Sequence, residues 1–363
     1  MQKKERVRLF VQEIWSWYEN HKRILPWRDL PDTDPTTRAY SVMVSEIMLQ
    51  QTQVPRVVIT YRNFLERFPS IADLADASNK EVLMAWRGMG YNSRALRLRD
   101  AAKTILGNYE LRITNYGNSA IRNPQPGFPC DLEDLMNIPG IGHYTAAAIR
   151  NFAFNIPTPC IDTNIRRILH RTFVGAENVD GSWEKDDRYL LEIAEEVLDE
   201  ALKPPPPGPL PQPFAAATGR ERGSADWHAA LMDYGSLVQT KRNPKWGICP
   251  LTRAGIMRTT KKNFELRIAD YGKLRNPKSE IRNQRREPGR TVGSTFIPNR
   301  IFRGRVVEAL RDAPRGLTLH EIGKQIAIDW DPEEHQRWLK TILDQLTCET
   351  MLGTKKGKYV LPS

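Results

Sequence analysis

The feature that most constrains this chain is the run Leu135-Met-Asn-Ile-Pro-Gly-Ile-Gly-His-Tyr-Thr-Ala-Ala-Ala-Ile149, where Pro139-Gly140-Ile141-Gly142 breaks one helix and a second begins at once. Glycines at such a corner permit positive φ and leave backbone N–H groups bare at a helix N-terminus. A helix-hairpin-helix of this kind accepts a phosphate without reading a base. Taken by itself the segment also fits a connection with only a packing role, and its surroundings favour the phosphate.

Those surroundings read as helical. Residues 7 to 107 carry apolar side chains at helical spacing, starting with Val7, Phe10, Val11, Ile14, Trp15 and Tyr18, with breaks at Pro26, Pro35, Pro69 and Gly88-Met89-Gly90. Helix is expected again over 132–173, 186–202 and 227–238. Residues 108 to 129 read as loop. Four consecutive prolines after Lys203 remove donors and force extended geometry, so 203–223 reads as a surface insertion. Residues 108–117 and 263–272 agree at seven of ten positions, which we read as duplicated coding sequence tolerated in loops.

From Arg300 the pattern gives a helix (Phe302, Val306, Val307, Leu310), a second opened by a Thr318–Glu321 capping box, and a third opened by Asp331-Pro332. A hairpin around Lys355-Lys-Gly-Lys358 then completes a winged-helix-like module, although a small protein-docking helical domain fits these residues nearly as well.

With 363 residues the chain is long enough for two domains. No run approaches the roughly 18 apolar residues of a membrane span, so a membrane or secreted protein is not expected. Cys130, Cys160, Cys249 and Cys348 form no CxxC pair, against a disulfide framework or a zinc site and for a reducing, intracellular compartment. Charge is uneven: residues 253 to 305 hold fifteen basic against four acidic side chains, leaving 39 against 39 elsewhere. Such a strip suits a polyanion, nucleic acid before membrane, or equally a linker kept soluble by charge.

Two carboxylates stand in unlike settings. Glu46 lies inside the apolar run Val42-Met-Val-Ser-Glu-Ile-Met, and Asp162 lies at the approach to a helix in Pro159-Cys-Ile-Asp-Thr-Asn-Ile. A Glu among apolar side chains should stay protonated long enough to act as an acid, while an Asp near amide donors should stay ionised. Each also has a plainer reading, Asp162 as an N-cap and Glu46 as partner to a buried arginine.

These residues resemble the helix-hairpin-helix DNA glycosylase superfamily, most closely its adenine-specific mismatch branch, the MutY family. The match runs from Leu25-Pro-Trp-Arg28 through Ser45-Glu-Ile-Met-Leu-Gln-Gln-Thr-Gln-Val54 and Gly88-Met-Gly-Tyr91 to the hairpin, Asp162 and Met232-Asp-Tyr-Gly235. The resemblance, which spans about residues 7 to 255, implies an all-α, two-lobed fold, one lobe from 1–37 and 151–255 and the other from 38–150; beyond it the residues themselves read as a basic linker 256–299 and the winged-helix-like module 300–363. It implies that Glu46 protonates an extruded adenine and helps water attack, that Asp162 steadies the sugar cation, and that Tyr144 assists. Gln50, Gln51, Tyr91, Pro139, Gly140, Ile141, Gly142, His143 and Thr145 would contact DNA.

Relatives that cut the strand carry a lysine where Tyr144 stands, and a phenol cannot form their imine, so a monofunctional glycosylase acting on mismatched double-stranded DNA is expected. A monomer with no metal is expected, working in the cytoplasm at the nucleoid, or elsewhere in the cell with DNA. A mismatch thymine or uracil glycosylase is the rival within the class, and a non-catalytic DNA-binding protein the rival outside it.

Three departures from the branch stand out. Its four cluster cysteines correspond to Gln239, Trp246, Cys249 and Gly255, and one ligand in four cannot hold an iron–sulfur cluster, so no cofactor is expected and Trp246 is a candidate plug. Asn92 stands where a second tyrosine would wedge into the duplex. The tail is too short and too helical for a Nudix-like domain.

Overall fold

In a computed structural model of the chain, the described residues are 1–30, 33–115, 128–178, 182–204, 223–265, 287–327 and 329–362. The chain is mostly helical, as the periodicity requires. It divides into two compact units, one of residues 1–42, 130–136 and 141–282, the other of 43–129, 137–140 and 283–363. The division falls at residue 42, the hairpin segment is split between the units, and the C-terminal module belongs to the second unit.

In the first unit, α1 (Lys3–Glu19), α8 (His143–Phe154), α9 (Thr163–Leu169), α10 (Asp187–Ala201) and α11 (Ser224–Leu237) surround one core. Phe10, Ile14 and Tyr18 of α1 are wholly buried with Ile165, Leu190, Val197, Trp227 and Tyr234. Edge-on rings set the spacing, with Phe10 at 6.1 Å from Trp227 and Trp17 at 5.1 Å from Tyr234. The wholly buried Asp233 is paired by Arg23 Nε at 2.7 Å and Arg28 Nη1 at 2.8 Å. The motifs Leu25-Pro-Trp-Arg28 and Met232-Asp-Tyr-Gly235 are thus two halves of one buried ion pair.

The second unit holds most of α2 (Pro35–Leu49), which crosses the division, with α3 (Val54–Arg67), α4 (Ile71–Asp76), α5 (Asn79–Ala85) and α6 (Ser93–Asn115). Capping boxes at Ser70–Asp73 and Ser78–Glu81 start α4 and α5. Helix α6 runs to Asn115, beyond the loop boundary read from the sequence. Residues 116–127, most of the proline insertion and 266–286 of the basic strip lie outside the described residues.

The C-terminal module has α13 (Asn299–Arg311), α14 (Leu319–Ile326), α15 (Pro332–Cys348) and an antiparallel pair β3 (Gly353–Lys355) and β4 (Lys358–Val360), with Thr318–Glu321 and Asp331 capping as expected. Lys356 and Gly357 supply the two positive φ angles of its tight turn. A second hairpin, β1 (Gly289–Val292) with β2 (Thr295–Pro298), stands where only linker was expected. It turns on Gly293-Ser294, with Gly293 at φ +60°. Arg290 fixes it to the module by lying 4.9 Å over Trp338 and pairing with Asp329. No described helix is long and apolar enough to cross a membrane.

Candidate active site

Helix α7 (Leu132–Met136) packs on α8, and the chain turns between them with Gly140 at φ +89°. Ile138 and Ile141 are buried and anchor the turn, while Pro139, Gly140, Gly142 and His143 are exposed. Gly142 caps α8 without a side chain. Its first N–H groups therefore point outward from a positive helix end, the setting that suits an anion. Of the residues read as DNA contacts, Ile141 and Thr145 are each only 4% exposed. They hold the hairpin to the core and can meet a phosphate only through the backbone. Tyr144, next in the first turn of α8, is half-buried.

Asp162 is the N-cap of α9. Its Oδ1 accepts from the backbone N–H of Asn164 (2.9 Å) and Ile165 (2.6 Å), and its Oδ2 from Asn164 Nδ2 (2.8 Å). The plainer reading is therefore correct as far as it goes, and the amide donors expected around this carboxylate are present. Burial nonetheless outweighs them and pushes the Asp162 carboxyl above its ordinary range, with the three hydrogen bonds and Arg167 pulling the other way. Asn164 in turn takes the Arg167 guanidinium on its Oδ1. Gly235 lets α11 lie against this group, since a Cβ there would stand 2.6 Å from Asn164 Cβ.

Glu46, in the second unit, is 6% exposed on α2 between Val44, Ile47 and Met48, all nearly or wholly buried. This is the apolar setting read from the sequence. Asp162 and Tyr144 belong to the first unit.

The second unit also brings together Gln50, Gln51 and Tyr91, through a residue that the sequence reading passed over. Arg94 is 6% exposed, and its Nη1 donates to the carbonyls of Ile47 (2.9 Å), Met48 (3.0 Å) and Gln50. Its Nη2 reaches Thr52 Oγ1 (3.0 Å) and the Met89 and Gly90 carbonyls. The guanidinium thus closes the C-terminal end of α2 and ties it to the next turn. Both turns contain left-handed residues, Gln51 at φ +56°, and Gly88, Gly90 and Tyr91 at +84°, +68° and +45°. Gln50 and Gln51 are exposed, and Tyr91, its ring 5.5 Å from the Arg94 guanidinium, is 47% exposed. Asn92 is buried. It stands where the resembling branch has its second tyrosine, and it is 8% exposed.

The profile of the HhH-GPD superfamily base excision DNA repair protein matches residues 44–196, which include Glu46, the hairpin and Asp162. The adenine DNA glycosylase of Mycolicibacterium smegmatis is 31% identical over 94% of this chain and 93% of its own length. That of Mycobacterium tuberculosis is 30% identical over 96% and 92%. The chain belongs to the adenine DNA glycosylase family. The solved structure of a thermostable thymine-DNA glycosylase has the same fold at 21% identity, with a TM-score of 0.51 over 70% of this chain and 95% of that one.

Of the four positions resembling cluster ligands, Gln239 and Cys249 join a hydrogen-bonded web. Gln239 and Cys249 are both wholly buried, with Gln239 Nε2 donating to Cys249 Sγ at 3.2 Å and the Tyr234 hydroxyl 2.9 Å from the same sulfur. Gln239 Oε1 accepts from Arg171 Nη1 (3.1 Å), which also reaches Thr240 O (3.0 Å), while Arg171 Nη2 bonds Glu177 at 2.6 Å. Arg171 sits in the π-turn His170–Val174 that ends α9. Arg167, one turn earlier, holds the Gly235 and Gln239 carbonyls at 3.0 and 2.9 Å. The buried plug is therefore Gln239. Trp246, the plug expected from the sequence, is half-buried and packs edge-on against Phe264. With a single thiol, already hydrogen-bonded, these residues do not fit a four-thiolate cluster.

Proposed function

We propose that this chain is a monofunctional glycosylase of base excision repair that removes adenine mispaired with guanine or 8-oxoguanine from double-stranded DNA, leaving an abasic site. The observation that carries the reading is Asp162, a carboxylate fixed by three hydrogen bonds at the start of α9 in a chain alike over almost its whole length to adenine DNA glycosylases. Breaking an N-glycosidic bond builds positive charge on the sugar, and a fixed carboxylate lowers that barrier.

Glu46 in its apolar helix protonates the imidazole ring of the extruded base, so that the C1′–N9 electron pair leaves on a neutral purine. Water then adds to C1′ and gives up a proton, which returns Glu46 to its acid form. Tyr144 supplies no amine, so water completes the reaction and the strand stays intact. The exposed hairpin 139–143 and the bare start of α8 hold backbone phosphate, with Gln50, Gln51 and Tyr91 meeting the stack from which the base has left.

The enzyme works as a monomer, inside the cell with DNA, and without an iron–sulfur cluster. The direct Gln239–Cys249 hydrogen bond supports that last point.

A panel of duplexes carrying A, T or U opposite G or 8-oxoguanine, scored for strand scission after alkali, tests the reading. Adenine release is expected, cut about a hundred- to a thousandfold by Asp162→Asn, the order of effect of removing a charge-stabilising group. Release of T or U instead would move the enzyme to the other mismatch class, and no release from any duplex would leave a binding protein.

A further inference from the structure

The C-terminal module and helices α3–α6 form one unit, and a single side chain joins much of it. Arg311, the last residue of α13, is 7% exposed. Its Nε and Nη2 donate to the Leu83 carbonyl of α5 at 3.0 and 2.7 Å, and Nη2 also donates to Asn92 Oδ1 at 3.1 Å. Nη1 is held by Glu308 of its own helix. Around this contact, Arg87 pairs with Glu308 and Asp312 at 2.6 Å each, and the Lys80 N–H donates to the Pro362 carbonyl at 2.8 Å. At the other end of α13, Arg300 pairs with Glu287 at 2.8 Å. The last residue of α13 therefore engages the turn directly, at Asn92, the neighbour of Tyr91.

A left-handed tyrosine persists only where its neighbours over-determine it. Arg94 does so from beneath, and α13 does so from the side. We propose that Arg311 is a positioning residue for mismatch recognition: by gripping Asn92 it fixes the turn that presents Tyr91, so that docking of the C-terminal module and discrimination of a mismatched duplex are one equilibrium. This rests on the glycosylase reading above. It gives the module a task other than tethering and gives position 92 a use other than contact with DNA.

The alternative is a contact that only stabilises the fold, and a double-mutant cycle in the full-length chain separates the two. The readout is the ratio of dissociation constants for matched and A·8-oxoguanine duplexes at fixed salt. Arg311→Met is expected to shrink that ratio by about tenfold, the size of a coupling within one hydrogen-bonded network. Matched-duplex affinity should stay unchanged. Arg311→Lys, which lacks the forked donors, should recover part of the ratio. In a Tyr91→Ala background Arg311→Met should have no further effect.

Should the Met variant fail to fold, Asn92→Ala removes only the acceptor and reads the same coupling. Equal losses from Arg311→Met with and without Tyr91, or a wild-type ratio in Arg311→Met and Asn92→Ala, would overturn the proposal while adenine release from wild type kept the glycosylase reading intact. A wild-type protein that neither releases adenine nor distinguishes the duplexes would overturn both.

Discussion

Each unit fastens an irregular segment with a buried arginine, and the two arginines are balanced differently. Arg171 in the first unit has a carboxylate, Glu177, at 2.6 Å and uses its other donors on Gln239 and Thr240. Arg94 in the second unit takes five backbone carbonyls and a threonine hydroxyl, and burial lowers its pKa to about 10. A guanidinium can be buried without a counter-ion where carbonyls converge, and the last turn of a helix supplies them together with the negative end of its dipole. Arg94 sits at such an end. The segment 235–259 leaves a helix too, but it is long and carries side chains to be tied, and there Arg171, balanced by Glu177, holds it through Gln239 and Thr240.

That difference predicts unequal costs. Arg171→Met removes the guanidinium from beside the part-buried Glu177 carboxylate and should cost about 3 kcal/mol, the lower end for a broken buried pair. Adding Glu177→Gln should recover part of the loss, because the carboxylate charge goes with it. Urea denaturation of the single and double variants checks this, and a double variant no more stable than Arg171→Met would show that Glu177 is not the balancing charge.

The three arginines that organise these segments were the least legible part of the sequence. Arg94, Arg171 and Arg311 carry a charge that reads as surface, yet each follows the apolar register of its helix: Arg94 with Leu98 and Ala101, Arg171 with Ile168, Arg311 with Val307, all wholly buried. An arginine in apolar register was the available sign. The helices themselves were legible because their cores repeat at 3.6 residues, and the Thr318 and Asp331 starts because caps are local chemistry. The hairpin 289–298 was missed although Gly293-Ser294 marks its turn, since that stretch was read for charge alone. Asp162 reads both as a cap and as the carboxylate that steadies the sugar cation, and its cap geometry is what fixes that carboxylate.

The units should also separate under acid. His228, on α11 of the first unit, is wholly enclosed, and burial lowers its pKa from 6.5 to about 4 against a hydrogen bond to Ser224 O. Its folded pKa is below the unfolded one, so its contribution is complete above pH 6.5 and falls away as pH drops towards 4, by about 3 kcal/mol in all. Hydrogen exchange along α11 should therefore accelerate between pH 6.5 and 4, and His228→Gln should flatten that dependence. Exchange that speeds equally in α6 and in α11, with or without His228, would show that acid acts elsewhere.

Arg94→Met should cost less than Arg171→Met, about 2 kcal/mol, because it strands neutral carbonyls that water can partly reach at the exposed turn. Thermal denaturation and DNA binding read different consequences here. The melting point should drop by a few degrees, while affinity for a mismatched duplex falls more, since the Gln51 and Tyr91 turns lose their common tie. A melting shift as large as that of Arg171→Met would break the contrast between the two arginines.

The smallest expected effect is on metal removal. In the first unit the web from Arg171 through Gln239 to Cys249 occupies the positions where a cluster would need sulfur, and each of its bonds is between groups the chain itself supplies. Refolding from urea in excess chelator should therefore return the same melting temperature and the same affinity for duplex as refolding without it. Iron analysis of the purified protein should find none in stoichiometric amount. Gln239→Ala supplies the contrast: it removes the amide that bridges Arg171 and Cys249 and leaves both without that partner, so it should destabilise the protein in the presence and absence of chelator alike. A chelator-dependent melting point, or a Gln239→Ala variant as stable as wild type, would mean that something other than this web closes the segment.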